Sequence, residues 1–498
     1  MAEAKAYRNF VDGEWTESSS GSDYTHRSPA DKSEVVGAFQ DSQAADVEAA
    51  VDAAARAYRR WRLVPAPKRA EYLFRMGEIL VRRKEEYARE MAREMGKPLK
   101  EARGDVQEAI DVCYYIAGEG RRLCGYTTPS ELPNKACYTT RAPIGVCGLI
   151  TPWNFPMAIP SWKLIPALVC GNTVVLKPAT DAPLSAYHLV KVGQEVGLPR
   201  GVLNYVTGGG ESVGGPLVRH AATSLISFTG SSETGRLIGA ACAESFKRVS
   251  LEMGGKNALI VMDDARLDLA VDGAAWGAFA TAGQRCTATS RIIVHKKVHD
   301  EFVRRLVERA SALKVGDPLD ESVDVGPLVS EAQLKRVMDY VQIGRDEGAE
   351  PLLGGVRLTK GEFGRGWFFP PTIFTGVHAR MRIAREEIFG PIVCVLPADG
   401  LEDALSIAND SPYGLSSSIY TQDVNRAFVA ARDLEAGITY VNSSTIGAET
   451  HLPFGGTRQT GNGHREGAAI TALEIFTEWK TVYVDYSGRL QKAQIDNN

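Results

Sequence analysis

No strong charge of either sign marks this chain. Its 57 Lys and Arg stand against 61 Asp and Glu, a net charge of −4 in 498 residues. That balance argues against nonspecific attachment to nucleic acid or to an anionic membrane. Cysteine is sparse, and the eight present, at positions 113, 124, 137, 147, 170, 242, 286 and 394, include no C-x2–4-C pair. Neither a zinc site nor a disulfide framework is indicated, no metal is expected, and a reducing, cytoplasmic setting fits. No stretch is apolar for long enough to span a bilayer: the nearest, 144–176, is broken by Asn154, Lys163, Asn172 and prolines. The first ten residues lack the apolar centre of a secretory signal. Low-complexity tracts, internal repeats and long Gly/Ser/Pro linkers are missing as well. What remains, 44% hydrophobic and 24% charged residues, is the composition of a soluble globular protein too long for one core, so two or three domains are expected.

The hydrophobic pattern gives those domains a class. Residues 46–61 place Val47, Ala50, Val51, Ala54 and Tyr58 on one helical face, and a longer helix is predicted over 67–95, closed by Gly96 and Pro98. Short apolar runs at 145–150, 173–176, 202–206, 225–228 and 258–262 read as strands buried on both faces, alternating with helices at 184–196, 212–220 and 233–243. A second cycle follows Gly254, with helices over 267–282 and 299–312 and strands over 290–295, 392–396, 417–420 and 437–442. Alternation of this kind implies an α/β fold with parallel, open, Rossmann-like sheets in two domains that meet near Gly254. The β-rich tail, 476–486, comes after the last helix and is a candidate for pairing with another subunit.

Chemistry concentrates in a few places. Cys286 sits in Ala-Gly-Gln-Arg-Cys-Thr (282–287), and Glu252 ends an apolar run in Ser-Leu-Glu-Met-Gly-Gly (250–255). A thiolate is a strong nucleophile at neutral pH, Arg285 would favour its ionisation if it faces the thiol, and a carboxylate such as Glu252 could activate water against an acyl-enzyme. Phe228-Thr-Gly-Ser-Ser-Glu-Thr-Gly235 places Gly230 after a strand and Gly235 at the opening of a helix, a turn whose amides suit a pyrophosphate although G-x4-G departs from the G-x-G-x-x-G spacing. Lys177 follows another strand, where open α/β sheets present ligand contacts. Thr151-Pro-Trp-Asn-Phe-Pro156 follows a third, and Asn154 in it offers an amide donor of the kind an oxyanion requires.

Taken together, Pro152-Trp-Asn-Phe-Pro156, Lys177-Pro-Ala, Phe228-Thr-Gly-Ser, Leu251-Glu-Met-Gly-Gly255, Gly283-Gln-Arg-Cys286 and Glu387-Ile-Phe-Gly-Pro391 occur in the order found in NAD(P)-dependent aldehyde dehydrogenases, and the chain resembles that superfamily along nearly its whole length. The resemblance implies a cofactor-binding domain (1–124 and 144–254), a catalytic domain (255–470) and a small β oligomerisation element (125–143 and 471–498) that builds a homodimer or homotetramer. It implies Cys286 as nucleophile, Glu252 as the base for thioester hydrolysis and Asn154 in the oxyanion hole. Ile150, Trp153, Lys177, Thr180, Gly230, Ser231, Gly235, Glu387 and Phe389 would hold the cofactor. Phe155, Trp162, Arg285, Phe454 and the loop 445–451 would line an aldehyde tunnel.

Two positions refine this. Strictly NAD-preferring members tend to carry Glu where Thr180 stands, so the resemblance implies NAD or NADP, with Lys177 placed toward a 2′-phosphate. Members acting on succinic semialdehyde commonly carry Arg where Trp162 lies, whereas Arg285 and Gly461-Asn-Gly-His-Arg-Glu466 resemble dehydrogenases of dicarboxylic semialdehydes such as α-ketoglutaric semialdehyde. The alternatives are a CoA-acylating semialdehyde dehydrogenase, a branch that generally lacks the hydrolytic Glu retained here as Glu252, and a non-enzymatic structural protein on the same scaffold.

Overall fold

The structure, a computed structural model, describes residues 5–495. Residues 1–4 and 496–498, the outer ends of the first and last expected segments, lie outside the described residues. Two seven-stranded sheets organise the chain. The first runs in the order Arg248–Glu252, Thr223–Thr229, Val146–Ile150, Thr173–Lys177, Leu203–Tyr205, and these five strands are parallel. The chain builds outward from Val146–Ile150 in one direction and then returns to its other side with Thr223–Thr229. That reversal opens a crevice beyond the carboxyl ends of these two strands, where open α/β sheets take their ligands. Two short antiparallel strands, Asn9–Val11 and Glu14–Thr16, extend the far edge, an addition the sequence pattern did not announce.

The second sheet, in the order Glu350–Leu353, Thr372–Thr375, Ile392–Ala398, Thr289–His295, Asn257–Val261, Ser416–Tyr420, Ile438–Val441, begins four residues after the first one ends. Only Glu350–Leu353 is antiparallel in it. Its central strands Asn257–Val261, Thr289–His295 and Ile392–Ala398 carry continuous apolar runs, as strands buried on both faces do. The third element is a three-stranded antiparallel sheet in which Thr477–Asp485 pairs along its whole length with Lys135–Pro143, itself paired to Thr127–Pro129.

Two helices differ from their sequence-predicted extents. The helix expected over 67–95 is two, Ala66–Arg82 and Lys84–Met95, separated at Arg83. The second stops as expected at Gly96, whose φ of 84° suits a residue without Cβ. The helix expected over 267–282 ends at Phe279, because Thr281 and Ala282 turn left-handed. The short helix Ala469–Phe476 packs on Ala158–Cys170, and Ala472, Leu473, Ile475 and Phe476 join the hydrophobic core of the first sheet. The segment that crosses from the second sheet to the tail therefore ties the two sheets together.

Candidate active site

The crevice predicted by the strand reversal is a cleft of about 220 Å³ lined by Trp153, Asn154, Gly230, Ser231, Cys286, Glu387 and Phe389, seven of the sequence-predicted site residues. They arrive from three directions. Trp153 and Asn154 stand on the loop after Val146–Ile150, with Ile150 half-buried at the strand's last position. Gly230 and Ser231 follow Thr223–Thr229, and Ser231 caps the helix Ser232–Ala243 by accepting from the Thr234 amide at 3.2 Å. Cys286, Glu387 and Phe389 come from the second sheet's side.

Close backbone approaches make the cleft possible. A Cβ on Gly254 would lie 2.1 Å from Glu387 Oε2, and one on Gly255 would lie 2.6 Å from the Cys286 carbonyl. The Gly255 amide donates to Glu387 Oε1 at 3.0 Å. Burial pushes the Glu387 carboxyl up to about 7, against the pull of that amide and of Arg336 and Lys256. Phe389, at φ 62°, turns its ring edge-on to Trp153 with centroids 5.3 Å apart. A carboxylate on a glycine shelf, two aromatic rings and a strand-to-helix turn at the start of Ser232–Ala243 fit a dinucleotide.

Other predicted cofactor residues lie behind this rim. Gly235 is buried, and a Cβ there would meet Met253 Sδ at 2.2 Å, so it lets the helix pack on the sheet and does not face the cleft. Lys177 is buried too, its ammonium donating to the Pro178 carbonyl at 2.8 Å and lowered to about 8 by desolvation, with Asp181 opposing. Thr180 is exposed.

The nucleophile's surroundings correct one expectation. Arg285 does not face the thiol: its guanidinium pairs with Glu101, donates to Thr281 Oγ1 at 3.1 Å and lies over the Phe155 and Trp276 rings at 5.1 and 5.6 Å. Adjacent residues on an irregular loop point apart, and Arg285 takes the aromatic side. Without that cation, burial and then the charges of Glu387 and Glu252 push the Cys286 thiol up to about 12. The amides of Thr287 and Cys286 itself pull the other way.

Asn154 is buried and donates through Nδ2 to the Gln284 carbonyl at 3.0 Å, which leaves its second amide hydrogen for a ligand. Glu252 is 2% exposed, and both carboxylate oxygens are without hydrogen-bond partners. Burial, then the charge of Glu466, raises its carboxyl well above the usual range, and Lys163 and Arg465 oppose this.

None of the residues expected to line a tunnel, Phe155, Trp162, Arg285 and Phe454, is among those lining the cleft, and they meet in pairs. Trp162 and Phe454 meet edge to face at 5.5 Å, and His451, at the end of the 445–451 loop, reaches Tyr115 on the helix Leu99–Gly118 at 6.4 Å.

Sequence reasoning missed several neighbours. Gln333 and Arg336 also line the cleft, Gln333 donating to the Phe389 carbonyl at 2.6 Å and Arg336 to the carbonyls of Ile388 (3.2 Å) and Glu387. Lys163 and Glu466 form a fully buried pair beside Glu252, 303 residues apart in the chain. Lys97, Glu101, Asp105 and Glu108 cluster at the start of Leu99–Gly118 near the tunnel aromatics. Lys97 Nζ is 2.7 Å from Asp105 and 3.6 Å from the Phe155 ring centre. Burial and then Asp105 push Glu108 up to about 8. Charged residues on amphipathic helices read as solvent-facing, so nothing in the pattern singled these out.

A thiol and an amide donor that meet at one cleft, beside the strand reversal of the first sheet, coincide with a match to the aldehyde dehydrogenase family over residues 15–482. The chain belongs to that family. As a member it is an NAD(P)-dependent dehydrogenase that oxidises an aldehyde to a carboxylic acid. It is similar to the alpha-ketoglutaric semialdehyde dehydrogenase of Bacillus subtilis (43% identical, covering 97% of this chain and 99% of that one). The alpha-ketoglutarate semialdehyde dehydrogenase of Haloferax volcanii is 44% identical over 96% and 99%. Retinaldehyde dehydrogenase 3 of Mus musculus, named for a different aldehyde, is 40% identical over 97% and 93%. Among solved structures, betaine aldehyde dehydrogenase from Staphylococcus aureus in complex with NAD+ superposes with a TM-score of 0.95 at 33% identity, covering 97% of this chain and 96% of that chain. In this aldehyde dehydrogenase, therefore, the two open sheets are the family's fold, and the cleft between them is where its chemistry is sought.

Proposed function

We propose that this dehydrogenase oxidises an aldehyde bearing a distal carboxylate, of the α-ketoglutaric semialdehyde type, with Cys286 as nucleophile, Asn154 as oxyanion donor and Glu252 as the hydrolytic base. The observation that carries the residue roles is the convergence of Cys286, Asn154, Glu387 and Phe389 on one cleft. The Cys286 thiol gives its proton to solvent and its sulfur attacks the aldehyde carbonyl, forming a C–S bond as the C=O π bond opens, and the developing oxyanion accepts hydrogen bonds from the free amide hydrogen of Asn154 and from the Cys286 backbone N–H. When bound, the nicotinamide cofactor accepts the hydride, leaving a thioester on Cys286. Glu252, once deprotonated, removes a proton from water as it attacks the thioester carbonyl; the C–S bond then breaks, the carboxylic acid leaves, and the Cys286 sulfur takes a proton back from Glu252. The residues that would hold the cofactor are Trp153, Gly230, Ser231, Glu387 and Phe389 at the cleft, with Ile150, Lys177 and Thr180 along the strand ends. The absence of a carboxylate at Thr180 supports acceptance of NADP beside NAD.

Two observations support the carboxylated substrate: the semialdehyde relatives at 43% and 44% identity, and Arg285 over Phe155 with its Nη1 unspent. In a panel of aldehydes of equal length with and without a terminal carboxylate, assayed with both cofactors, the carboxylated members should give the higher kcat/KM. A preference for the uncharged aldehydes would set this substrate class aside while leaving the nucleophile untouched.

The three-stranded sheet falls within the proposed oligomerisation element, 125–143 and 471–498, and we assign that sheet to a homodimer or homotetramer interface. It supports the reading that Tyr126, Tyr138, Trp479, Tyr483, Val484 and Tyr486 are all exposed on or beside it, and that Thr477–Asp485 has one unpaired edge. Light scattering at micromolar concentration should give a dimer or tetramer, and truncation before Phe476 should lower that state; a full-length monomer refutes the assignment. The absence of any disulfide among the eight cysteines supports a reducing, cytoplasmic setting, and no helix among the described residues is long and apolar enough to cross a membrane.

A further inference from the structure

The loop that delivers Cys286 is built on an unfavourable backbone. Thr281, Ala282 and Gly283 take φ of 53°, 54° and 68° in succession, the left-handed region in which a β-branched residue and alanine are both disfavoured. Gly283 has no alternative, since a Cβ there would lie 2.1 Å from the Gly390 carbonyl. Thr281 and Ala282 do, so something outside the loop must hold them.

That something is Glu101, 180 residues earlier, at the start of the helix Leu99–Gly118. Its Oε1 accepts from the Thr281 amide at 3.0 Å, and its Oε2 accepts from Thr281 Oγ1 at 2.6 Å and from Arg285 Nη2. The side chain is 1% exposed. One carboxylate thus fixes the strained turn at Thr281 and the residue immediately before the nucleophile. One helical turn on, on the same face, Asp105 Oδ1 accepts from the Ala158 amide at 2.7 Å, at the start of the helix that follows the Asn154 loop. Asn154 closes the circuit through the Gln284 carbonyl. A single rigid helix therefore sets the nucleophile loop and the oxyanion loop relative to each other.

We propose that Glu101 is a positioning residue of the reaction: by clamping Thr281 and Arg285 it holds the Cys286 sulfur in register with the Asn154 amide. Glu101 is not among the residues lining the cleft and acts on it through Thr281 and Arg285. The inference rests on Cys286 being the nucleophile, and the test separates the two.

The probe is iodoacetamide, with alkylation followed at Cys286 by mass of its peptide, alongside the pre-steady-state burst of reduced cofactor and cofactor affinity, in wild type, Glu101→Gln and Glu101→Ala. Misplacing a reacting group by about 1 Å costs on the order of 10²-fold, so the burst rate should fall by about that factor in Glu101→Ala, with slower alkylation and cofactor Kd held within about twofold. Glu101→Gln keeps one acceptor oxygen and should fall between, and it decides the matter alone if the alanine variant does not fold. Unchanged burst and alkylation in the glutamine and alanine variants overturn the proposal. So does a loss of cofactor affinity as large as the loss of burst, which makes Glu101 a general strap between the sheets. If alkylating Cys286 leaves the wild-type enzyme active, the nucleophile assignment fails instead.

Discussion

Cys286→Ala should lose aldehyde oxidation by on the order of 10⁴-fold or more while cofactor affinity stays within about twofold of wild type. The separation follows from where the contacts lie. In the proposed assignment Glu387 on its glycine shelf, the Trp153 and Phe389 rings and the Gly230-Ser231 turn would form the cofactor's side of the cleft, and none of them depends on the thiol. The covalent bond to substrate depends on nothing else. Proton affinity does not distinguish this cysteine: burial pushes Cys113 and Cys170 up to about 12 as well, and Cys394 to about 11. Those three are enclosed and the exposed Cys124 does not line the cleft, so it is its place at the cleft that sets Cys286 apart. Isothermal titration with cofactor and a coupled assay with a reactive aldehyde measure the two halves. Turnover above that level, with contamination excluded, removes Cys286 from the chemistry.

The α/β class and both parallel sheets were legible in the sequence because strands buried on two faces carry unbroken apolar runs, such as Asn257–Val261 and Thr289–His295, and because glycine or a polar cluster follows each. The motif residues at the cleft were legible for a related reason: Trp153, Asn154, Gly230 and Ser231 follow strand ends directly, and strand ends are where an open sheet meets its ligand. What stayed hidden depends on contacts between distant segments. The direction of Arg285 is set by Glu101, and the proton affinity of Glu252 by its burial and then by the charges of Glu466 and Lys163, and no local pattern encodes either environment. The helix overrun at Thr281 has the same origin. Alanine and threonine there carry no signal for a left-handed turn, since the carboxylate that stabilises it comes from another element.

Glu252→Gln should separate the two halves of the reaction. Acylation of Cys286 requires only the sulfur, the oxyanion donors and a hydride acceptor, so the burst of reduced cofactor should persist with near-stoichiometric amplitude. Hydrolysis of the thioester requires a base, and its loss should slow the steady state by roughly 10²-fold or more. The environment of Glu252 adds a pH signature. Desolvation and the Glu466 charge raise its carboxyl well above the ordinary carboxylate range, so in the resting protein the group holds its proton at pH values where an exposed glutamate would not. Only the deprotonated form can act as base, so the deacylation rate in wild type should climb as pH rises through that raised pKa. Glutamine has no such titration, and the variant's residual deacylation should lack the limb. Stopped-flow traces across pH 6 to 9 test both parts. Burst and steady state falling together would move Glu252 to a step before hydride transfer. A burst that survives, followed by a deacylation limb unchanged in the variant, would assign the base to another group of the buried cluster, with Glu466 the nearest carboxylate to examine.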